Sequence, residues 1–310
     1  MRIAVLAGGR SPEREVSLRS GHRVQTALVS LGHDVSLVDP GELPLVQALA
    51  ERTPQICYLT LHGNEGEDGT VQRLLELLGI SYTGTSPFEC QIAFDKVLAK
   101  DALSQAGVAT PSWAVVEDRA LRDLGAGSGL EAIIERVGLP CVVKPNRSGS
   151  AMGVGFVERA ADLPSAVMAA LAFSASAVVE SKVEGTEIAV GLVGTPWDSL
   201  PLVEIVPKGG VYDYAARYTA GATEYFAPAR VSDEVAALCG SAAELAAGAL
   251  GLRDVTRVDM IVDADGRPWV LEVNVAPGMT ETSLLPMAAQ AAGRSLPDLC
   301  EGVLHSALTR

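Results

Sequence analysis

The sequence predicts an α/β protein of more than one domain, and three observations lead to that prediction. The chain has 310 residues, which is more than a single hydrophobic core usually holds. It opens with "RIAVLAGG", a continuous apolar run that ends in glycine and is typical of a buried parallel strand followed by a loop. Apolar strand patterns then alternate with helical patterns along the chain, as they do in α/β folds.

The first predicted unit covers residues 1 to about 90. Its first helix follows "SPERE", stops at Gly32, and has four apolar residues on one face: Val24, Ala27, Leu28 and Leu31. "DVSLVD" and "QICYLTLHG" supply two further strands. The helix after "GEDGT" again has one apolar face, made by Val71, Leu74, Leu75 and Leu78. This alternation predicts an N-terminal α/β domain.

The second predicted unit covers residues 91–180 and the third residues 181–310. The second begins with the helix "DKVLAKDALSQAG" and continues with the strand "PCVVKP", a glycine-rich segment and the strand "SAVVESKV". The third contains the strands "EIAVGLVG" and "PLVEIVP" and a helix from Ser232 to about Leu250. It also contains a predicted hairpin, "RVDMIVDADGRPWVLEVN".

Two acids and an amide converge in this hairpin. "DADG" is a strong turn signal, and a loop at residues 264–267 places Asp259 directly opposite Glu272. Asn274 points to the same face as Glu272 because side chains alternate along a strand. Such oxygen ligands suit Mg²⁺, which binds a few protein oxygens together with substrate phosphates. The alternatives are that the acids pair with Arg257 or lie solvated on an exposed edge.

Three further segments carry weaker chemical signals. In "KPNRSGSAMGVG", which starts at Lys144, glycines would let backbone N–H groups close around a phosphate, although a flexible surface turn has a similar composition. "GGRSPEREVSL" places Glu13 and Glu15 in the first turn of a helix, where acids ordinarily complement the helix dipole. His62 stands at a strand end, and a lone histidine there is more often structural than catalytic.

Composition limits the class of partner. The net charge of -14 disfavours nucleic acid and anionic membranes, and no apolar run reaches the roughly 20 residues of a spanning helix. The five cysteines lack CxxC spacing, which indicates inert buried thiols in a reducing cytosol. We therefore expect a soluble, cytoplasmic protein.

Taken together, these segments resemble the D-alanine–D-alanine ligases of the ATP-grasp superfamily. The resemblance spans nearly the whole chain and rests on "GGRSPEREVSL", "LHGNEGEDGTVQRLLELLG", "DKVLAK", "VVKPNRSGSAMGV", "VYDYAARY", "RVDMIVDADG" and "LEVNVAPGMTETSLLPMAAQAAG". It implies three domains: an N-terminal parallel-sheet α/β domain at 1–90, and two α+β lobes at 91–180 and 181–310 that clasp ATP.

The resemblance implies a residue set for ATP and its metal. Two Mg²⁺ ions, for which Mn²⁺ can substitute, would bridge the phosphates through Asp259, Glu272 and Asn274. Lys96 and Lys144 match the lysines that contact phosphate. The positions that hold adenine and ribose are matched by Glu180, Val183 and Glu187.

The amino-acid site is implied in the same way. Glu13 matches the residue that receives the ammonium group of the first D-alanine, with His62 nearby, and Ser150 and Tyr218 match its hydrogen-bonding partners. The oxyanion stabilisers and the clamp for the second carboxylate are matched by Arg257, the Gly278 N–H, Ser283 and the Leu284 N–H.

The implied reaction has two steps. The carboxylate of the first D-alanine attacks the γ-phosphorus of ATP to give an acyl phosphate, and the amine of the second then displaces phosphate. The product, D-alanyl-D-alanine, would serve peptidoglycan and cell-wall synthesis. This chemistry needs charge neutralisation more than a protein nucleophile. The family also implies a homodimer.

Three residues depart from the family pattern, and they bear on ATP affinity. Arg217 stands in the ATP site where lysine is common, and its planar fork differs in shape from an ammonium group. Ser181 replaces a common lysine and Ala151 a frequent serine. Two alternatives stay open: a related ligase that uses another amino acid such as D-serine or serves an antibiotic pathway, and a non-catalytic nucleotide-binding homologue.

Overall fold

The computed structural model describes residues 1–124, 126–210, 212, 216–217, 219 and 221–309. Its first sheet is parallel, with strand order β2-β1-β3-β4. The strands and the helices between them are β1 Arg2–Leu6, α1 Arg14–Ser30, β2 Asp34–Val38, α2 Leu45–Arg52, β3 Ile56–Leu59, α3 Thr70–Leu77 and β4 Ser81–Tyr82. The predicted parallel α/β unit is therefore confirmed.

The buried faces of α1 and α3 are shorter than we predicted from the spacing of the apolar residues. Val24, Ala27 and Leu28 are buried, but Leu31 follows the end of α1 and is 42% exposed. Leu78 likewise lies beyond the end of α3 and is 37% exposed. Each helix ends one residue before the last apolar residue of its pattern, so these two residues were wrongly assigned to the buried face.

The second sheet is antiparallel, with order β5-β8-β6-β7. Two helices precede it, and three helices and a short 3-10 turn are interspersed with its strands. The elements are α4 Pro87–Phe94, α5 Lys96–Gln105, β5 Trp113–Glu117, α6 Asp118–Leu124, α7 Ala126–Val137, β6 Cys141–Pro145, β7 Gly155–Val157, the 3-10 turn Ala160–Asp162, α8 Leu163–Leu171 and β8 Ser176–Ser181.

The third sheet is also antiparallel and follows the order β12-β11-β9-β13-β14, with β10 paired to β9. Its elements are β9 Thr186–Val193, β10 Asp198–Ser199, β11 Val203–Pro207, β12 Thr223–Phe226, α9 Asp233–Ala249, β13 Val255–Val262 and β14 Pro268–Asn274. Two helices complete the described chain, α10 Leu284–Ala291 and α11 Leu296–Leu308. Ser232 caps α9, because its hydroxyl accepts a hydrogen bond from the Val235 N–H.

The cores tie the sheets together. Apolar side chains of β1 and β3 share one core with α10, α11 and the strands β9 and β11 of the third sheet. Ala99 and Leu103 of α5 pack in another core with β9, β13 and α9. The second sheet has a core of its own. The division at about residues 90 and 180 stays a prediction.

The β13–β14 hairpin positions the predicted oxygen cluster. Asp259 lies opposite Glu272, as predicted, but the route to that register differs. Val262 pairs with Pro268, so the loop is one residue longer than predicted, and a bulge at Leu271 restores the register.

The remaining structural predictions concern cysteines and membranes. All five cysteines are free and buried, and burial raises the pKa of Cys57 to about 12. No helix in the described ranges is long and apolar enough to cross a membrane.

Candidate active site

Two cavities meet where the glycine-rich segment faces the third sheet. The large cavity has a volume of about 410 Å³, and its apolar lining includes Val142, Met152, Phe156 and Leu271. The small cavity measures about 90 Å³. They share part of their lining, namely Gly149, Tyr212, Arg217 and Glu272. A ligand that fills the large cavity would therefore end beside the small one.

Two lysines bring positive charge to the large cavity. Lys96, at the start of α5, donates a hydrogen bond from Nζ to the Ser148 carbonyl at 2.7 Å. Burial lowers the pKa of Lys96, and the negative charge of Glu272 opposes that effect. Burial also acts on Lys144, but the carboxylates of Glu180 and Glu272 outweigh it and raise its pKa above the ordinary value. Lys144 is therefore held in its charged form.

Glu180 links this cavity to a lysine that the sequence reasoning missed. Its carboxylate is 2% exposed and forms ion pairs with Lys144 through Oε1 and with Lys100 through Oε2, the latter at 2.8 Å. Burial raises the pKa of Glu180, but the two ammonium groups outweigh it and lower the pKa to about 2. The only sequence signal for Lys100 was its place in the "DKVLAK" segment.

The two carboxylates of the hairpin differ in their hydrogen bonding. Asp259 receives two hydrogen bonds from Arg257, at 2.6 and 2.7 Å, and one from the Asn274 amide at 3.3 Å. The pairing of Asp259 with Arg257, weighed as an alternative to metal binding, is thus present. Within the described part of the chain, Glu272 has no hydrogen-bond partner, although it lines both cavities.

The donor set fits a hard cation such as Mg²⁺. Burial raises the pKa of Glu272, but nearby cations, led by Lys96 and Arg217, outweigh it and keep the carboxylate ionised. An ionised, partly buried carboxylate without a hydrogen bond is costly unless a cation approaches it. No group of three or more His, Cys, Asp or Glu residues suited to a metal occurs in the described ranges. The set offered here is two carboxylates and an amide, with the remaining ligands left to substrate and water.

Arg217 lines both cavities. Its guanidinium lies 4.4 Å from the centre of the Tyr212 ring, and its buried Nε has no hydrogen-bond partner among the described residues. Tyr212 in turn is hydrogen-bonded to the Tyr225 hydroxyl at 3.1 Å. The stacked ring fixes the guanidinium plane, so that an anion at the cavity junction would meet a preoriented donor.

The small cavity is built around the carboxylate of Glu13. This residue stands at the N-cap of α1 and is 8% exposed. Glu15, in the first turn of α1, is exposed and is placed to interact favourably with the helix dipole. The Ser150 hydroxyl donates a short hydrogen bond to Glu13 Oε1. Burial and the neighbouring Glu67 raise the pKa of Glu13, and Ser150 opposes them. A carboxylate so placed suits a positively charged ligand group.

Strain in the glycine-rich segment accompanies this contact. Ser150 and Ala151 have φ angles of 50° and 55°, in the left-handed region that residues with a Cβ rarely adopt. Gly149 lies so close to Glu13 that a Cβ there would come within 2.7 Å of Oε2. The segment therefore requires glycine at this position for Ser150 to reach the carboxylate.

His62 occupies a fixed position on the other wall. The Ser20 hydroxyl accepts a hydrogen bond from the Met279 N–H at 3.0 Å and lies 3.3 Å from His62 Nε2. The other ring nitrogen of His62, Nδ1, lies 3.6 Å from the carboxylate of Glu67. Ser20 and Glu67 were both missed from the sequence.

The chain bend after β14 forms the floor of the small cavity. Gly278 lies against Ser283, whose Oγ would be 2.7 Å from a Cβ at that position. Ser283 stands at the N-cap position of α10, which starts at Leu284, but its hydroxyl makes no capping bond and instead accepts a hydrogen bond from the Thr280 N–H at 2.9 Å. The N–H groups at the start of this helix provide a site that favours negative charge.

The structure brings all but one of the predicted site residues to these two cavities. The large cavity is lined by Lys96, Lys144, Glu180, Val183, Glu187, Arg217, Asp259 and Glu272. The small one is lined by Glu13, His62, Ser150, Arg257, Asn274, Gly278, Ser283 and Leu284. Tyr218 lies outside the described residues. The role of each residue stays a prediction.

Comparison with known proteins gives consistent matches. The family described as "D-ala D-ala ligase C-terminus" matches residues 102–305, and "D-ala D-ala ligase N-terminus" matches residues 44–85. A D-alanine–D-alanine ligase of Anaeromyxobacter dehalogenans is 43% identical over 306 residues, covering 99% of this chain and 96% of that protein. A crystal structure of the D-alanine–D-alanine ligase from Bacillus anthracis has a TM-score of 0.85 at 32% identity, with 100% and 98% of the two chains covered. Its complex with ATP has a TM-score of 0.84 at 29% identity over the same shares.

Proposed function

This chain belongs to the D-alanine–D-alanine ligase family, and from that premise we propose that it joins two molecules of D-alanine with cleavage of ATP to ADP and phosphate through an acyl phosphate. The single observation that carries the proposal is the junction of the two cavities. A cavity large enough for a nucleotide ends at Arg217 and Glu272, and beyond them begins a small cavity with a buried carboxylate. Phosphoryl transfer between the two ligands needs this adjacency.

The large cavity suits ATP. Its apolar side chains would cover the adenine ring, and Lys96 and Lys144 would meet the phosphates at the inner end. Arg217 would add a preoriented guanidinium at the γ-phosphoryl group. Charge neutralisation of this kind is the main contribution a protein makes to phosphoryl transfer.

The small cavity suits two short amino acids in succession. Glu13 would receive the ammonium group of the first D-alanine, whose carboxylate then points to the γ-phosphoryl group. Arg257 and the Gly278 N–H would stabilise the developing oxyanion, and Ser283 with the Leu284 N–H would hold the carboxylate of the second substrate. A volume of about 90 Å³ leaves no room for a long side chain.

Divalent cations complete the proposed site. Glu272, Asp259 and Asn274 would hold two Mg²⁺ ions, with Mn²⁺ as a substitute. The ions would neutralise the phosphate charge as the bond to the γ-phosphorus breaks. For this role Asp259 has to share its carboxylate between Arg257 and a cation, or exchange one for the other.

The cellular context follows from the same family. We propose that the dipeptide enters peptidoglycan precursors in the cytoplasm and that the enzyme acts as a homodimer of three-domain subunits divided near residues 90 and 180. Light scattering coupled to size exclusion would measure the dimer directly.

One assay tests the function. ADP and phosphate release from ATP would be measured with Mg²⁺ against a panel of D- and L-amino acids, each alone and in pairs, with the product identified by mass spectrometry. We expect release and dipeptide formation with D-alanine alone. Release only when D-serine is paired with D-alanine would indicate the D-serine alternative, and no release with any amino acid would contradict the enzyme function.

A further inference from the structure

The charge arrangement behind the large cavity involves three residues, and only two of them face the cavity. Lys144 and Glu180 line it, whereas Lys100 lies behind Glu180 and does not line it. The side chain of Lys100 is 3% exposed, although a lysine is among the side chains least often buried. Such burial is costly unless the ammonium group has partners for its protons.

Lys100 has those partners, and they hold it still. Its Nζ donates to Thr110 Oγ1 at 2.7 Å and to the Pro111 carbonyl at 3.2 Å. It lies 2.8 Å from Glu180 Oε2 and 5.4 Å from the centre of the Trp113 ring. Two N–H groups of Lys100 donate hydrogen bonds and its charge is paired with Glu180, so the ammonium group is held away from the large cavity.

Lys144 is held differently. Among the described residues, its side chain forms an ion pair with Glu180 Oε1, and it is 15% exposed and lines the large cavity. A phosphate that enters this cavity has to compete with Glu180 for the Lys144 ammonium group. The strength of that competition depends on how much of the carboxylate charge is already neutralised from behind.

We propose that Lys100 is a positioning residue for the nucleotide site, which sets the availability of Lys144 by neutralising Glu180 from the side away from the cavity. With Lys100 present, Lys144 shares the carboxylate with a second cation and can turn to a phosphate. Without Lys100, the full charge of a buried carboxylate would hold Lys144 in place. The inference rests on the proposed function, because it assumes that the large cavity binds ATP.

The charged groups that face Glu180 come from two elements, apart from its own strand. Lys144 lies on β6, and Lys100 and Lys96 lie on α5; the neighbouring strand β5 contributes the uncharged Trp113. With both adjacent lysines present, the pKa of Glu180 is lowered to about 2. Without Lys100 its pKa rises because one of the two stabilising charges is lost.

The test compares Lys100→Met with wild type by calorimetric titration of ATP and Mg²⁺ in the absence of amino acid, at mildly acidic and mildly alkaline pH. We expect ATP to bind about tenfold more weakly to the variant at alkaline pH, in line with the removal of one charge from a buried network. The difference should shrink at acidic pH, where protonation of Glu180 releases Lys144. A pH-independent loss would indicate a merely structural role, and equal affinity in a folded variant would also overturn the proposal.

Two further variants keep the test decisive. Thr110→Val removes a hydrogen bond to Lys100 but leaves the charge, and should change ATP affinity by less than about threefold.

If Lys100→Met does not fold, Lys100→Met combined with Glu180→Gln is compared with Glu180→Gln alone. Equal ATP affinity of these two supports the proposal, because no carboxylate charge remains to be neutralised, and a tenfold difference refutes it. Failure of wild type itself to bind ATP would instead contradict the proposed function.

Discussion

A single methyl group at Gly149 should separate amino-acid binding from nucleotide binding. In Gly149→Ala, the added carbon would lie 2.7 Å from Glu13 Oε2 and 3.1 Å from Oε1. Ordinary van der Waals contact begins at 3.4 Å, so the carboxylate has to move by roughly 0.7 Å. Glu13 is buried and bonded to Ser150, so the carboxylate cannot shift without loss of that hydrogen bond or of its rotamer.

The size of the effect follows from this displacement. A misplacement of about 1 Å costs on the order of 100-fold in rate, so we expect kcat/KM for D-alanine to fall by about 30- to 100-fold. That corresponds to about 2 to 3 kcal/mol of transition-state stabilisation. Although Gly149 lines both cavities, the three atoms nearest to the added carbon all belong to Glu13, so the KM for ATP should change by less than about threefold.

The assay is ADP release at saturating ATP over a range of D-alanine concentrations. Gly248→Ala is the matched control, since nothing lies within 4 Å of a Cβ at that position in α9, and its kinetics should equal those of wild type. The reasoning is refuted if Gly149→Ala unfolds at the wild-type temperature and retains kcat/KM for D-alanine within about twofold.

Three further predictions concern the carboxylates of Glu272 and Glu13. Glu272→Gln should reduce turnover by at least about 100-fold while the circular dichroism spectrum stays unchanged; near-normal activity would remove the proposed metal role. The KM for D-alanine should rise as pH falls through the raised pKa of Glu13, because only the ionised form holds an ammonium group, and a KM independent of acidic pH would contradict that assignment. Glu13→Gln should raise the unfolding temperature at alkaline pH, because a carboxylate whose pKa is raised in the folded state destabilises it once ionised, and the gain should vanish below the ordinary carboxyl pKa of about 4.3. A lower unfolding temperature at every pH would show that Glu13 is needed for the fold.

Much of the fold could be predicted from local pattern. The parallel first sheet followed from apolar runs and amphipathic helices, since a strand buried on both faces has to be apolar throughout. Helix ends were less certain because apolar residues such as Leu31 and Leu78 continue the pattern past the point where the hydrogen-bonded turn stops.

The hairpin shows how a correct pairing can come from an incorrect detail. Asp259 lies opposite Glu272 because the loop has one residue more than predicted and Leu271 bulges out of the ladder. Neither feature has a clear signal in the letters of the sequence. The pairing of Asp259 with Glu272 was predictable, because a carboxylate within an apolar strand has few positions in which it finds a hydrogen-bond donor or a cation.

The sequence by itself determined the class of fold, the order of its elements and the residue types from which a phosphate and metal site could be built. Only the tertiary structure decided which acid was buried, as Glu13 is and Glu15 is not, and which lysine stands behind Glu180. The physical reason is that a charged side chain acquires its role from the cations, hydroxyls and burial around it. Those neighbours come from strands and helices far apart in the chain, so they cannot be predicted from local sequence periodicity.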